Sequence, residues 1–339
     1  MLGASGYTGA DLIRLAARHP NIEITALVAK AHAGQPLAKV FPHLASLDLP
    51  DLVTSDEVDW DAIDVVFCGL PHGTAHSEIA KLPGRLRVID MSADFRLRDR
   101  ATYEQWYGGA HGSPGLLDTS VYGLTEHYRE DIASARLVAC PGCYPTAVLL
   151  ALLPLAKQAL IDPQEIIIDA KSGVSGAGRA LKQNILFSEA GEGLSPYAIG
   201  SHRHVPEIEQ EIGKAAECNA AVNFTPHLVP MTRGELCTCY MRLADEVSEK
   251  LVREALRKAY AMSPFVRIVD PGVIPATQHV RGSNYCHIGV FADRIPGRVI
   301  VVSVIDNLVK GSAGQALQNF NVMHGLDETT ALEQLPLFP

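Results

Sequence analysis

Three glycines, Gly3, Gly6 and Gly9, spaced G-x-x-G-x-x-G and followed at once by a helical run at 10–18, constrain the fold of this chain most. Glycines at that spacing let a strand turn tightly into a helix and let backbone approach a pyrophosphate. The helix N-terminus then offers unpaired N–H groups and the positive end of its dipole. A tight strand-to-helix turn with no ligand needs the same residues, so the triplet alone decides nothing. The pattern behind it says more. Residues 22–29, 64–70 and 86–91 read as strands, with a helix-like 74–82 before the last. Strands alternating with helices predict an α/β fold with a parallel, doubly wound sheet and a ligand at the carboxyl ends of its strands. Only Met1 and Leu2 precede the glycine turn, where about five strand residues are usual. The first strand is therefore expected to be clipped, as though the start were set downstream of it.

The end of the second strand bears on the cofactor. Folds that prefer NAD place an acid there for the ribose 2′-hydroxyl. Here the strand runs out at Val28-Ala29-Lys30-Ala31-His32, and no acid follows until Asp48. Lys30 suits a 2′-phosphate, which favours NADP; a solvated loop lysine is the alternative.

Bulk properties narrow the class. A formal charge of −9 without a long basic run argues against nucleic acid. The apolar run 147–156 is far shorter than the roughly 20 residues of a membrane span. No secretion signal is evident, so the expected address is cytoplasmic. Seven scattered cysteines suggest no disulfide framework. Cys237 and Cys239 alternate in an expected strand and read as a pair buried under a sheet rather than as zinc ligands.

The second informative stretch is Ala139-Cys140-Pro141-Gly142-Cys143-Tyr144-Pro145-Thr146. Residues 136–139 read as a strand, Pro141 and Gly142 as a turn, and Pro145 as the first position of a helix over 146–156. That sets Cys143 at the mouth of a helix, where unpaired N–H groups and the dipole favour thiolate, the nucleophilic form. A buried structural cysteine, or a Cys-x-x-Cys pair with Cys140, fits the same residues. Downstream, 166–179 reads as a strand entering a glycine-rich loop that ends in Arg179. His202, Arg203, His204 and Glu207 follow closely. Histidine is suited to moving protons near neutral pH; His202 and His204 also read as a metal pair or as structural. His72 and His76 stand near the cofactor end, where capping explains them equally well. Arg96 is a candidate anion clamp, with an ion pair to Asp94 or Asp99 as the alternative.

Together these segments resemble the N-acetyl-gamma-glutamyl-phosphate reductase family, the arginine-pathway branch of the semialdehyde dehydrogenase superfamily. The resemblance runs from Gly3 to Asn321. It rests on Gly-Ala-Ser-Gly-Tyr-Thr-Gly at 3–9, Leu-Pro-His-Gly at 70–73, Ser-Ala-Asp-Phe-Arg-Leu at 92–97 and Val-Tyr-Gly-Leu at 121–124. Pro-Gly-Cys-Tyr-Pro-Thr at 141–146, Lys-Ser-Gly-Val-Ser-Gly-Ala-Gly-Arg at 171–179, His-Arg-His-Val-Pro-Glu at 202–207, Pro-His-Leu-Val-Pro-Met at 226–231 and the run 306–316 complete it. Each motif is modest, and their joint order is specific. Lys30 departs from it, standing where relatives often carry arginine.

The resemblance implies NADPH-dependent reduction of N-acetyl-L-glutamyl 5-phosphate to the 5-semialdehyde, with Cys143 as nucleophile and a thioester intermediate. It implies an acid–base histidine from His202 or His204, without choosing between them. Cofactor contacts are implied for Gly3, Ser5, Gly6, Tyr7, Thr8, Gly9, Lys30, Pro71, Ser172, Gly173 and Asn307, and substrate contacts for Arg96, Arg179, Arg203 and Glu207. No metal is implied. Cys140 beside the nucleophile raises an inactivating Cys140–Cys143 disulfide. The implied architecture is a Rossmann-type NADP domain (1–142 and 309–339) and an α+β catalytic and dimerisation domain (143–308). The latter holds a mostly antiparallel sheet from 166–170, 221–230, 235–243 and 286–308, a helix over 248–261 and a final helix over 313–323. A homotetramer or homodimer is implied. Rival readings are a reductase of another acyl phosphate, a cysteine hydrolase using Cys143 and His204, and a non-catalytic NADP-binding sensor.

Overall fold

The alternation read from the first third of the chain does build a parallel sheet. In the computed structural model, which describes residues 1–338, the strands Val65–Cys68, Arg87–Asp90, Leu137–Ala139 and Val121–Tyr122 lie side by side in that order, all parallel. Leu2 bridges both Val28 and Cys68, and Leu27–Val28 pairs in parallel with Leu52–Val53. Leu2 is thus the one residue that joins the two sets of strands. The strand expected over 22–29 forms a ladder only at Leu27–Val28. A cavity of about 650 Å³ lies there, lined by residues 21–28 and 62–67 among others.

At the edge of that cavity the Met1 ammonium is buried and donates to the carbonyl of Ala26 at 2.5 Å. Burial pushes its pKa down to about 6 from an ordinary 8. The folded state therefore resists a proton that the unfolded chain accepts. Stability is expected to be full above pH 8 and to fall through the window from 8 to 6, by on the order of 2–3 kcal/mol. Acetylating the amino group removes the charge and should flatten that part of the curve. Urea unfolding of free and acetylated protein at pH 6 and 8 tests this, and equal pH slopes would contradict it.

The chain forms two compact units: Met1–Pro141 with Ser312–Glu333, and Gly142–Gly311 with the chain from Gln334. The helix Gly314–Met323 belongs to the first unit and is buried along its whole length. Most of its polar side-chain atoms are matched there. Asn319 donates to the carbonyl of Gly123 at 2.8 Å and accepts from Thr125 at 2.6 Å, and Gln315 donates to the same carbonyl at 3.1 Å. Buried amides persist when they are paired in this way.

The second unit is organised by a seven-stranded sheet. Its spatial order is Val266–Ile268, Cys286–Ala292, Arg298–Ile305, Glu235–Leu243, Ile161–Gly173, Val222–Val229 and Ser195–Pro196. Most neighbours are antiparallel, with two parallel pairs. Burial alternates along Glu235–Leu243, and Cys237 and Cys239 share the covered face. Under that sheet lies the helix Cys143–Lys157, buried at every position from Tyr144 to Ala156. A helix apolar all round has no face to give to water, so the core closes around it. None of the seven cysteines is in a disulfide.

Three sequence expectations need correction. The run 286–308 is a hairpin, not one strand, because Gly297 turns the chain at a φ of +76° between Cys286–Ala292 and Arg298–Ile305. The strand expected over 166–170 extends to Ile161–Gly173, since both of its flanks find partners. The helix expected from 146, with Pro145 first, starts at Cys143 with Gly142 as its N-cap. Proline is tolerated anywhere in that first turn, where its missing N–H has no intrahelical acceptor.

Candidate active site

In the first unit the glycine turn forms as the spacing requires. Gly3 takes a φ of +80°, and a Cβ there would come within 2.5 Å of the carbonyl oxygen of Gly69. The helix Tyr7–Ala16 follows, with Gly6 as N-cap, no side-chain cap and no acid in its first turn. Its leading N–H groups are thereby left to a ligand. Thr8 and Ser312 pair through their hydroxyls at 3.2 Å. Ser5 and Gly6 are half-buried, and Tyr7 is exposed. Lys30 is exposed in the short helix after Leu27–Val28, and no acid stands beside it in that turn. A dinucleotide with a 2′-phosphate fits these residues: backbone donors for the pyrophosphate and a cation past the second strand.

Pro71 opens the turn after Val65–Cys68. That turn is held by Asp94, which accepts from the N–H groups of Gly73 at 2.8 Å and His76 at 3.1 Å and from the Tyr103 hydroxyl at 2.9 Å. The Ser-Ala-Asp-Phe-Arg segment therefore braces this turn through Asp94. The His76 and His111 rings lie beside it, 5.0 Å apart and tilted by 48°. Arg96 is buried and donates to the backbone carbonyls of Cys140 at 2.8 Å and Met91 at 3.2 Å. Asp90, fully buried, is pushed up to about 6 by desolvation, against its hydrogen bonds from Ser92 and the nearby Arg96. Cys140 is buried, receives the Asn319 amide at 3.5 Å and is pushed up to about 12 by desolvation. It is a poor thiolate.

In the second unit Cys143, half-buried, is the first residue of its helix. The turn before it is fixed by a residue distant in sequence. Glu207, 1% exposed, accepts from the N–H of Gly142 at 2.9 Å. His204 lies against the same turn. A Cβ on Gly142 would meet its Nε2 at 2.4 Å, so only glycine leaves the ring room. Tyr144, His202, His204 and Tyr197 form an edge-to-face cluster, with the His202 and His204 rings 4.7 Å apart and Tyr197 bonded to Tyr144 at 3.2 Å.

The two histidines differ. His202 is pushed down to about 4, by burial first and then by the Arg203 charge, and its Nδ1 accepts from the N–H of His204 at 3.1 Å. It is held neutral near pH 7. Arg179 and Arg203 are exposed. Ser172 is buried, with its hydroxyl on the carbonyl of Gly173 at 3.1 Å. Asn307 spends both ends of its amide inside this unit, accepting from Gly234 at 2.9 Å and donating to Ser175 at 3.0 Å. Among the described residues no group of three His, Cys, Asp or Glu is arranged to hold a metal.

Sequence reading missed Glu235. It heads the strand Glu235–Leu243 and is fully buried, and neither of its carboxylate oxygens has a hydrogen-bond partner. The only local signal was an acid at a position whose alternation, set by Cys237 and Cys239, points into the core.

Comparison with known proteins agrees with both units. The family described as "Semialdehyde dehydrogenase, NAD binding domain" matches residues 1–135, and "Semialdehyde dehydrogenase, dimerisation domain" matches 143–307. The chain is 57% identical over 344 residues to a Rhodospirillum rubrum protein named N-acetyl-gamma-glutamyl-phosphate reductase, covering 100% of this chain and 98% of that one. An Arabidopsis thaliana protein named "Probable N-acetyl-gamma-glutamyl-phosphate reductase, chloroplastic" is 54% identical over 339 residues, covering 100% of this chain and 84% of its own. In fold the chain is similar to aspartate semialdehyde dehydrogenase II of Vibrio cholerae, with a TM-score of 0.73 at 17% identity over 96% of this chain and 97% of that one. It is also similar to a Candida albicans aspartate semialdehyde dehydrogenase solved with NADP, with a TM-score of 0.66 at 18% identity over 95% and 97%. No described helix is long and apolar enough to cross a membrane.

Proposed function

The chain belongs to the N-acetyl-gamma-glutamyl-phosphate reductases of the semialdehyde dehydrogenase family, and from that premise we propose how its own residues carry out the reaction. The reaction is the NADPH-dependent reduction of N-acetyl-L-glutamyl 5-phosphate to N-acetyl-L-glutamate 5-semialdehyde and phosphate, a step of arginine biosynthesis. The observation that carries the assignment of roles is Cys143 at the first position of a buried helix, on a turn that Glu207 holds and His204 covers.

The Cys143 sulfur attacks the acyl carbonyl, a C–S bond forms, and the C–O bond to phosphate breaks with its electron pair leaving on phosphate. A thioester accepts hydride far more readily than a carboxylate would. NADPH, when bound, supplies that hydride. The tetrahedral oxygen that results is served by His204, which gives up a proton as charge develops there and takes it back as the carbonyl reforms. The C–S bond then breaks, and the aldehyde leaves the thiolate behind. His204 is preferred to His202 because His202 is buried, neutral and committed through Nδ1 to backbone. Glu207 holds the Gly142 turn, which keeps the Cys143 backbone at the helix mouth. Arg179 and Arg203, both exposed cations, remain candidates for the substrate's phosphate and carboxylate. Arg96 already serves two backbone carbonyls and takes a supporting part in the first unit.

In the first unit Gly3, Ser5, Gly6, Tyr7, Thr8 and Gly9 frame the pyrophosphate turn, Pro71 the adjoining wall and Lys30 the 2′-phosphate. Ser172, Gly173 and Asn307 are assigned to the nicotinamide end. Lys30→Glu is expected to lower kcat/KM for NADPH about tenfold while sparing NADH, the scale of one lost charge-assisted contact. An unchanged NADPH/NADH ratio would leave Lys30 a solvated loop residue. The assembly belonging to this reading is a cytoplasmic homodimer or homotetramer formed through the second unit, in line with its match to a dimerisation domain.

The direct test runs the reaction in reverse, where the substrates are stable. NADPH absorbance should rise with N-acetylglutamate semialdehyde, NADP and phosphate together and with none of the three omitted. Turnover of aspartate semialdehyde in preference would move the chain to another substrate, and thioester hydrolysis without nucleotide would make it a hydrolase.

A further inference from the structure

Within the second unit, a turn far along the chain packs directly on the nucleophile. It follows the strand Arg298–Ile305 and leads into a π-helix over Val309–Ala313. The N–H of Gly311 donates to the carbonyl of Asp306 at 3.0 Å, five residues back. Such wide turns are rare and are frequent at functional sites.

Asp306 anchors the turn through its side chain as well. Its carboxylate is fully buried and accepts from the N–H groups of Gly282 at 2.7 Å, Leu308 at 2.9 Å and Val309 at 3.1 Å. The Arg233 guanidinium stands 3.5 Å from the same carboxylate. A buried carboxylate supplied with that many donors is held in one place. Val309 and Lys310 are fully buried too, with the Lys310 ammonium 5.9 Å from the centre of the Phe265 ring. The turn has little freedom to shift.

Gly311 is where this turn meets Cys143. A Cβ at 311 would lie 2.8 Å from the Cβ of Cys143, 3.2 Å from its Cα and 3.1 Å from Cδ1 of Ile305. Cβ atoms in proteins essentially never come within 3.0 Å of such a neighbour. The φ of Gly311 is not positive, so backbone conformation does not call for glycine here. The close approach does. Of the two partners Cys143 is the one able to yield, being half-buried and the first residue of a helix without a side-chain cap.

We propose that Gly311 is a positioning residue for the reaction. Its bare backbone, on a turn anchored by Asp306, lets Cys143 sit back against it, and this contact keeps the sulfur at the helix mouth. There the helix dipole and leading N–H groups favour the thiolate. Gly311 acts through Cys143. The proposal rests on Cys143 being the nucleophile, but one arm of its test needs neither substrate nor cofactor, so it can fail while the reaction assignment stands.

Gly311→Ala adds the single methyl group. Its kcat is expected to fall about a hundredfold, the usual loss for a reacting atom displaced by roughly 1 Å, with KM for the acyl phosphate changed by less than about twofold. Iodoacetamide labelling at pH 7, read on each cysteine peptide by mass spectrometry, separates positioning from general loosening. Cys143 should react severalfold more slowly than in wild type, while the exposed Cys218 keeps its rate and the buried Cys237 and Cys239 stay unlabelled. A wild-type kcat, or a wild-type labelling rate at Cys143, overturns the proposal. If Cys237 and Cys239 become labelled, the fold has loosened and a second variant decides. Cys143→Gly removes the Cβ that the new methyl strikes, so adding Gly311→Ala to it should lower the urea midpoint much less than in wild type. An equal drop in both backgrounds would place the collision elsewhere and overturn the proposal.

Discussion

Cys143→Ala is expected to lose phosphate-dependent reduction of NADP by on the order of 10⁴-fold or more, because the whole covalent path runs through one sulfur. The fold should survive. Position 143 opens a helix that is buried from Tyr144 onward, and alanine is the residue best tolerated in a helix. Unfolding temperature is therefore expected within a few degrees of wild type. Incubation of wild type with the acyl phosphate, without NADPH, should also release phosphate in a burst matched to enzyme concentration, and the variant should release none. An active, well-folded Cys143→Ala protein would refute thioester catalysis. A burst that persists in the variant would place the acyl group on another side chain.

The second large effect is expected at His204. His204→Asn, which keeps polarity but removes the titrating ring, should lower kcat by about 10²–10⁴-fold, the usual worth of a positioned acid–base. KM should change little, and the pH dependence of kcat assigned to the histidine should flatten. His202→Asn should act differently, with a modest loss and an unchanged pH profile, since burial and Arg203 already hold that ring neutral. Gly142→Ala probes the same point through packing. Its methyl would drive into His204 Nε2 at 2.4 Å, so the ring must move or the turn must. It should resemble His204→Asn in kcat. If His202→Asn proved the more damaging of the pair, the assignment of the proton-handling histidine would be reversed.

These two sites show how unevenly function was legible in the chain. The glycine turn at 3–9 and the cysteine at 143 were visible because their geometry is local. A glycine needed for φ, a proline in a first turn and a helix dipole act over a few residues. The edges of elements were less legible. Residues 22–26 have the composition of a strand and no ladder beside them, so the strand is only Leu27–Val28. The segment 286–308 carries its turn at Gly297, which makes it a hairpin of Cys286–Ala292 and Arg298–Ile305.

What the sequence determined by itself is therefore the parallel alternation of the first unit, the strand-rich pattern of the second and the chemical kinds of residue that catalysis needs. The tertiary structure decided which of them work together. Glu207 meets the Gly142 amide across 65 residues, a pairing no spacing encodes. His202 and His204 are equivalent as letters and unequal in place, one closed into an aromatic cluster and bonded to backbone, the other laid on the turn before Cys143. Glu235 is an ordinary acid in the sequence. Only its full burial at a strand head pushes its proton affinity up. The physical reason is common to all three. Desolvation and charge depend on what surrounds a group in space, and those surroundings are assembled from segments that the chain keeps far apart.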